Sequence, residues 1–427
     1  MVDLSEALRL IGVVVAFVFV IILIRKKYNF GISLILGSLI LGGFSLLEIQ
    51  LIDVGRALIE GSFYDFQTQT FITETIELAI LMTLIYMLAR LMQQTGAITH
   101  LIDSLRTFFS NGGILALIPA VYGLMPVPGG ALFSAPMIDE EGDTFRISKE
   151  QKNILNIWFR HIWFPIYPIS SAMILVCSVD FSNIDIYTLI LANVVSFIGS
   201  ILIGLYLLRH FIKGSVGPKK KITKDYKGLV YLLPPVVPLL FYIVLQFFDF
   251  PQIRSFLIGV LFSIFILYLL TGSSSKSYIS YIKNSLTLKL ALAIFGIMIF
   301  REMFEVSKVN IIIASTIQDL AFPAIIMVLL VPLLLGLLTG YNLGAIALSY
   351  FLVEPFFSLT GINIIGLTSL IFMSSFVGYL ISPIHLCNVL SSEYLKTDTT
   401  RIYRLFIPAS IILLFIQVIF VFIVYRI

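Results

Sequence analysis

Charged residues are scarce in this chain of 427 residues, and their scarcity excludes a soluble globular protein. Asp, Glu, Lys and Arg make up 12% of the sequence, whereas soluble domains carry about 25%. Hydrophobic residues make up 59%. At about 20 residues per crossing helix, the length accommodates about ten to twelve membrane helices and no large soluble domain. We therefore predict an all-α protein that crosses a membrane many times.

Cysteines are few in this sequence, and recognisable catalytic motifs are absent. Cys177 and Cys387 are the two cysteines, and both lie in apolar segments, where cysteine usually behaves as a small hydrophobic residue. A disulfide framework or a thiolate metal site needs more cysteines at recognisable spacing, so neither is indicated. The sequence contains no HExxH, GxSxG, Walker or GxGxxG motif. We expect no enzyme activity and no cofactor; the pattern leaves any bound metal open and allows Na⁺ at the hairpin turns described below.

Helix-breaking residues interrupt apolar sequence at matching places in the two halves of the chain. The first half contains MPVPGGALFSAP at 125–136 and WFPIYPISSAMIL at 163–175, and the second contains LLTGYNLGAIALSY at 337–350 and GYLISPIHLCNVL at 378–390. Gly129 and Gly340 stand 211 residues apart (340 − 129), which is close to half the chain. Unwound backbone at membrane depth is tolerated only where it borders protein or a cavity. Matched breakers in two halves therefore indicate a transporter binding site.

The basic residues indicate how the chain crosses the membrane. Two apolar stretches, 112–138 and 321–357, are predicted to be re-entrant hairpins. A full span at 112–138 would move the lysine-rich part of the linker 209–228 outside, against the distribution of basic residues. With both termini outside, Lys and Arg collect in the cytoplasmic loops of a protein in the inner (plasma) membrane. The halves 1–208 and 229–427 then form two inverted repeats. About ten full spans are predicted, at residues 6–24, 29–47, 71–92, 156–178, 184–208, 229–247, 253–271, 286–304, 362–392 and 405–425.

The hairpin turns and the two broken helices, 156–178 and 362–392, supply the predicted binding residues. Glycines and prolines shape the turns, while hydroxyl, amide and imidazole groups touch the ligand. Helix N-termini suit a carboxylate, whereas unwound carbonyls and hydroxyls suit a hard cation such as sodium. The predicted site residues are Pro128, Gly129, Gly130, Ser134, Ser170, Ser171, Thr339, Gly340, Asn342, Ser382, His385 and Asn388.

Ionisable residues near the interruptions are few. His161 and His385 lie in or near the broken helices, either as packed hydrogen-bonding groups or as proton carriers, and His385 is the better candidate for a proton carrier. Arg160 either pairs with a substrate anion or extends to the membrane surface. The breaker segments contain no Asp or Glu. Their absence disfavours proton antiport, which usually places a carboxylate in the cation site.

The hairpin sequence MPVPGGALFSAPM at 125–137, together with paired breakers over nearly the whole chain, resembles an uncharacterised family of prokaryotic integral-membrane proteins grouped with the ion transporter superfamily. The resemblance implies a fold like that of the divalent-anion symporters. In that fold a scaffold domain forms a homodimer, and a transport domain of two hairpins and two broken helices moves as an elevator. Members mostly carry organic anions with sodium or protons, and some exchange sodium for protons. The turns differ from the Ser-Asn-Thr signature of dicarboxylate carriers, so dicarboxylate specificity and sodium coupling do not carry over.

From the residues and the resemblance we expect a secondary active transporter that carries a small organic anion, such as a carboxylate, with Na⁺ or H⁺. Its expected partners are the anion, the coupling cation, membrane lipid and a second copy of the chain. Nucleic acid is excluded, because no basic groove with interleaved aromatics is present. A sodium/proton antiporter is the main alternative, and a channel or a non-transporting receptor also stays open. Asn342→Ala or Asn388→Ala is expected to abolish uptake without preventing membrane insertion.

Overall fold

The protein is almost entirely helical. In the part of the chain that the structure describes, the only regular strands are β1 (Tyr64–Asp65) and β2 (Thr70–Phe71), which form a small antiparallel ribbon. The prediction of an all-α fold is confirmed apart from this ribbon. The computed structural model describes residues 3–108, 112–125, 129–213, 226–319 and 323–427.

The helices divide between the two halves of the chain, with a few short 3₁₀ turns between them. The first half contains α1 (Leu4–Arg25), α2 (Phe30–Phe44), α3 (Leu51–Glu60), α4 (Thr73–Gln94), α5 (Ala97–Leu105), α6 (Ile114–Gly123), α7 (Ala131–Thr144), α8 (Lys149–Arg160), α9 (Ser171–Val176) and α10 (Ile186–Ile212). The second half contains α11 (Leu233–Gln246), α12 (Gln252–Thr271), α13 (Ser275–Ser285), α14 (Lys289–Val306), α15 (Val309–Asp319), α16 (Ala324–Thr339), α17 (Asn342–Val353), α18 (Ile364–Leu380), α19 (Leu386–Leu395) and α20 (Thr399–Val424). The 3₁₀ turns are Phe164–Ile166, Lys227–Leu232 and Glu354–Leu359.

The same order of elements occurs twice. In the first half, α4 is followed by the short α5, the helical hairpin α6–α7, a helix broken into α8 and α9, and the long α10. In the second half, α14 is followed by α15, the hairpin α16–α17, a helix broken into α18 and α19, and the long α20. The predicted division at the linker 209–228 corresponds to this order, although residues 214–225 lie outside the described part. Opposite membrane orientations of the two halves, and separate scaffold and transport domains, stay predictions.

Several helices are long and apolar enough to cross a membrane. By length and composition there are seven among the described residues, and four shorter apolar helices accompany them, among them α2 and α16. The prediction of a membrane-embedded protein is confirmed in this sense. The count of ten spans, the hairpins' re-entry and the position of the termini stay predictions. The seven segments are Leu4–Arg25, Thr73–Gln94, Ile186–Ile212, Lys227–Gln246, Gln252–Thr271, Asn342–Leu359 and Thr399–Val424.

Element boundaries differ from the predicted ones where polar residues continue a helix. The first hairpin, predicted to end at 138, continues as helix α7 to Thr144. Its polar last turns pack on α8, where the Lys152 ammonium lies 2.6 Å from carboxylate oxygens of both Asp139 and Asp143. A prediction from hydropathy ends this helix too early, because the charged Asp139 and Asp143 look unfavourable in an apolar helix unless their ion pairs with Lys152 are known. The helices α3 and α13, in loops between predicted spans, were not anticipated.

Helices α16 and α18 approach closely at two glycines. A Cβ on Gly378 would lie 2.0 Å from the Leu333 backbone oxygen, and one on Gly336 would lie 2.4 Å from the Ser375 backbone oxygen. Small residues let the backbones of membrane helices approach and gain van der Waals contact. The second hairpin is therefore fixed against the first segment of the second broken helix.

Candidate functional site

Both hairpin turns and both helix interruptions border one cavity of about 560 Å³. The first turn contributes Gly129 and the second contributes Gly340. The interruption before α9 contributes Ser170 and Ser171, and the one before α19 contributes His385. These positions are remote from one another in sequence, and tertiary packing brings them to a common wall. We take this cavity as the candidate site.

The two turns contain glycines in a left-handed conformation. Gly129 has a φ of 71° and Gly340 has a φ of 60°, a region that other residues rarely adopt. A Cβ at Gly129 would lie 2.7 Å from the Leu390 side chain, and one at Gly340 would lie 2.8 Å from the Ile384 side chain. Both turns therefore pack against the second interruption and its helix α19. The predicted turn residue Pro128 lies outside the described part of the chain.

Two helices begin at the cavity without a side-chain cap. They are α17 and α19, and neither of their N-cap residues accepts a hydrogen bond through its side chain. The first amides of a helix have no partner within the helix and carry partial positive charge. By contrast, Ser170 Oγ caps the short α9 by accepting a hydrogen bond from the Met173 amide at 3.2 Å. The two uncapped ends give the cavity wall the character of an anion site.

Two buried side chains at the cavity have polar atoms without a partner among the described residues. Asn342 is 4% exposed, and its Nδ2 has no hydrogen-bond acceptor. His385 is fully buried, and neither of its ring nitrogens is hydrogen-bonded. A buried polar group without a partner costs about 1–3 kcal/mol. Because both residues line the cavity, a ligand bound there can satisfy them.

Arg160 places a buried positive charge beneath the first turn. Its side chain is 3% exposed, and Nη1 donates a hydrogen bond of 2.7 Å to the Tyr122 carbonyl while Nη2 donates one of 3.3 Å to the Met125 carbonyl. The guanidinium also lies against Gly130, where an added Cβ would come within 2.1 Å of Nη2. The structure therefore places the Arg160 side chain buried at the cavity, and its pairing with a substrate anion stays a prediction.

His161 has one ring nitrogen fixed by the backbone. Its Nδ1 lies 2.7 Å from the Ile157 carbonyl oxygen, and a carbonyl can only accept, so Nδ1 carries the hydrogen. Nε2 is then the lone-pair nitrogen, and it lies 3.4 Å from the Tyr379 hydroxyl. The ring centroids of His161 and His385 are 4.9 Å apart. The two predicted proton-carrying candidates are thus neighbours in the cavity wall.

Several predicted site residues bond within the protein and are not among the residues that line the cavity. Ser134 Oγ donates to Asn156 Oδ1 at 2.5 Å, and Thr339 Oγ1 donates to the Leu335 carbonyl at 2.7 Å. Ser382 Oγ donates to the carbonyl of Leu337 in α16 at 2.7 Å, which ties the second interruption to the second hairpin.

Asn388 likewise bonds away from the cavity, because its Nδ2 donates to the Tyr403 hydroxyl at 2.8 Å. The structure thus places Gly129, Ser170, Ser171, Gly340, Asn342 and His385 at the cavity. The other four residues form hydrogen bonds that stabilise the surrounding helices. They are Ser134, Thr339, Ser382 and Asn388.

Some residues of the cavity were not predicted as site residues. Arg160 and His161 are not among the predicted site residues, and Cys387 was expected to pack as an apolar residue, yet all three line the cavity. The sequence carried a signal for one of them, because Cys387 follows His385 by two residues at a helix break. Nothing in the sequence showed that Tyr379 also contributes to the wall.

Comparison with known proteins identifies a family without an assigned activity. No curated protein sequence matches the chain. The family described as a protein of unknown function, DUF401, matches residues 6–426. The match includes both hairpins, both broken helices and the residues that line the cavity. This chain belongs to the DUF401 family of proteins of unknown function.

Proposed function

We propose that this protein is a secondary active transporter that binds a small organic anion, such as a carboxylate, in the cavity and carries it across the membrane with Na⁺ or H⁺. One observation carries the proposal: two uncapped helix N-termini border the same cavity as the unpartnered Nδ2 of Asn342. Backbone amides and a side-chain amide are donors that suit a carboxylate.

The charge of the lining supports an anionic ligand. Arg160, Lys27 and Lys289 line the cavity, and its described lining residues include no Asp or Glu. A cavity lined by positive charges and by no described carboxylate attracts anions. The balance disfavours a sodium/proton antiporter, whose cation site usually contains a carboxylate.

The size and remaining lining support a small organic ligand. A volume of about 560 Å³ lies within the range of about 300–1,000 Å³ for small-molecule sites. Phe30, Tyr86 and Phe164 supply apolar and aromatic surface in the same wall. An organic anion with a carboxylate and a short carbon skeleton matches both the donors and the apolar surface.

The broken helices are consistent with transport by alternating access, in which one binding site opens to each side of the membrane in turn. Hairpins and broken helices that meet at a central site are the arrangement through which inverted-repeat transporters expose one site to each side in turn. The repeated order of elements in the two halves supports this mechanism. An elevator movement of the two hairpins and broken helices against a dimeric scaffold, and a coupling Na⁺ at the turns, are parts of the same proposal.

The test begins with ligand binding and ends with transport. Purified protein is screened for thermal stabilisation by small carboxylates in sodium and in potassium, and the stabilising compounds are then assayed for uptake into liposomes. We expect at least one carboxylate to raise the melting temperature and to be accumulated against its gradient when an ion gradient is imposed. Stabilisation by no carboxylate, together with pH-dependent sodium flux in the absence of organic substrate, would replace the proposal with the antiporter. Currents far above carrier turnover would indicate a channel.

A further inference from the structure

Three side chains that commonly ligate metals meet in the cavity wall, from two distant parts of the chain. His161 follows α8, whereas His385 and Cys387 stand at the start of α19, and one ligand atom of each lies within 4.8 Å of the other two. All three side chains are buried. We propose that His161, His385 and Cys387 bind a divalent metal ion of the Zn²⁺ class.

The distances fit a metal ion after a small adjustment. Tetrahedral zinc has bonds of about 2.0–2.1 Å to nitrogen and about 2.3 Å to sulfur, which place its ligand atoms about 3.3–3.6 Å apart. The three atoms here are separated by at most 4.8 Å. The largest contraction needed, about 1.2–1.5 Å, is within the reach of side-chain rotation shared among three residues.

His161 has the orientation of a metal ligand. Its Nδ1–H donates to the Ile157 carbonyl at 2.7 Å, so the lone pair lies on Nε2, the nitrogen that is close to the Tyr379 hydroxyl. Metal-binding histidines usually donate their second ring nitrogen to a carbonyl or carboxylate in this way. The contact of 3.4 Å between Nε2 and the Tyr379 hydroxyl is too long to be a strong hydrogen bond. A metal ion can displace it at little cost.

His385 supplies an independent observation. It is fully buried, and neither ring nitrogen has a hydrogen-bond partner among the described residues. Its ring centroid lies 4.1 Å from that of Tyr379 and 4.9 Å from that of His161. The His385 ring therefore packs against two other rings while both of its polar atoms remain unsatisfied. Coordination through one nitrogen removes part of that cost.

The ligand set selects the metal. Two imidazoles and one thiolate suit Zn²⁺ and related transition metals, whereas Na⁺, Mg²⁺ and Ca²⁺ prefer oxygen ligands. Three protein ligands leave one coordination position, and all three residues line the cavity. The thiolate neutralises one of the two metal charges, so the loaded site stays positive beside Arg160. An anion or water from the cavity can complete the coordination.

This inference goes beyond the proposed function, because metal binding requires only these side chains and no transport. The full-length protein is purified, stripped with a chelator, loaded with Zn²⁺ and freed of excess metal by gel filtration. We expect about one zinc per chain. Loading with Co²⁺ instead should give tetrahedral d–d absorption and a near-ultraviolet band from sulfur-to-cobalt charge transfer.

The variants separate this site from non-specific binding. Cys387→Ser and His385→Ala are expected to weaken Zn²⁺ binding at least tenfold, and Cys387→Ser to abolish the charge-transfer band. Cys177→Ser is the matched control, since Cys177 is also buried but lies outside the cluster. It should retain both the metal and the band. Absence of stoichiometric zinc in the wild type, or an unchanged band in Cys387→Ser, would overturn the proposal.

A second measurement covers the case in which Cys387→Ser does not fold. In Cys177→Ser protein, Cys387 is the one remaining thiol, and Zn²⁺ should slow its alkylation at least tenfold under partly denaturing conditions that expose it. Equal alkylation rates with and without Zn²⁺ would contradict the site. Protein that binds one zinc but moves no anion would reject the proposed transport and leave the metal site standing. Carboxylate uptake by protein that binds no zinc would reject the metal site and leave the proposed transport standing.

Discussion

Ser375 donates a hydrogen bond of 2.8 Å to Asn342 Oδ1, and this bond fixes the orientation of the Asn342 amide at the cavity. It joins the middle of α18 to the first residue of α17. The amide oxygen is thereby occupied, and Nδ2 is left without a partner among the described residues. The second turn thus places a buried amide of fixed orientation in the cavity wall.

We expect Asn342→Ala to weaken binding of a stabilising carboxylate by about 10- to 150-fold, because a hydrogen bond to a charged group contributes about 1.5–3 kcal/mol. Ser375→Ala should have a smaller effect, since the amide remains but its orientation is no longer fixed. Ligand titrations followed by thermal shift measure both. Asn284→Ala is the matched control, because Asn284 is exposed on α13. Equal affinity in Asn342→Ala and the wild type would contradict the assignment of Asn342.

Asn388→Ala is expected to affect stability more than ligand affinity. Asn388 donates to the Tyr403 hydroxyl, which in turn donates to the Ser382 carbonyl at 3.1 Å. Removing the amide breaks this chain and costs about 1–3 kcal/mol, so the melting temperature should fall by several degrees while the affinity of folded protein changes little. Tyr403→Phe should produce a similar loss. A stable Asn388→Ala variant that fails to bind carboxylate would instead support the sequence-based expectation for this residue.

Gly130→Ala should disturb the first turn by displacing Arg160. The added Cβ would come within 2.1 Å of the guanidinium, and overpacking of this kind costs about 1–3 kcal/mol. We expect a lower melting temperature and loss of carboxylate binding. Gly43→Ala is the matched control, since a Cβ there meets nothing within 4 Å, and it should leave both properties unchanged or raise stability slightly. Normal carboxylate binding by Gly130→Ala would show that binding does not depend on the position of the Arg160 guanidinium seen here.

Lys152 should make stability depend on pH in the alkaline range. Burial alone lowers the pKa of Lys152, but hydrogen bonds and charges from Asp139 and Asp143 more than offset this, so its pKa lies above the usual 10.5. A raised pKa means that the folded state holds the proton more tightly than the unfolded state. The contribution is therefore complete below pH 10.5 and is lost as the pH rises through the folded-state pKa.

Lys152→Met removes this contribution. We expect it to lower stability by about 1–3 kcal/mol at neutral pH, less than the 3–5 kcal/mol for a fully buried pair, because the Asp143 side chain is 77% exposed. Its melting temperature should also fall less steeply than that of the wild type at strongly alkaline pH. Lys149→Met, at an exposed position of the same helix, should retain the wild-type slope. Parallel slopes for Lys152→Met and the wild type would contradict the pairing.

The sequence predicted the features that depend on local composition. Apolar runs identified the membrane helices, and the Gly and Pro residues identified where helices end, because hydropathy and backbone restriction act within a few residues. The turn glycines Gly129 and Gly340 and the break before His385 were located in this way. Polar residues at the helix ends were harder to interpret. Ser134, Thr339 and Asn388 have the same kinds of side chain as the residues at the cavity, and the sequence does not show which way each one faces.

By itself, the sequence determined that this is a helical membrane protein with paired helix breaks, since those properties follow from burial of apolar surface and from the conformational limits of Gly and Pro. Only the tertiary structure decided that Arg160 stays beneath the first turn and that His161 meets His385 and Cys387. Contacts between the two halves depend on how the helices rotate and pack, and that arrangement is set by the whole chain together. The chemical identity of the cavity therefore emerges only when the two halves are assembled.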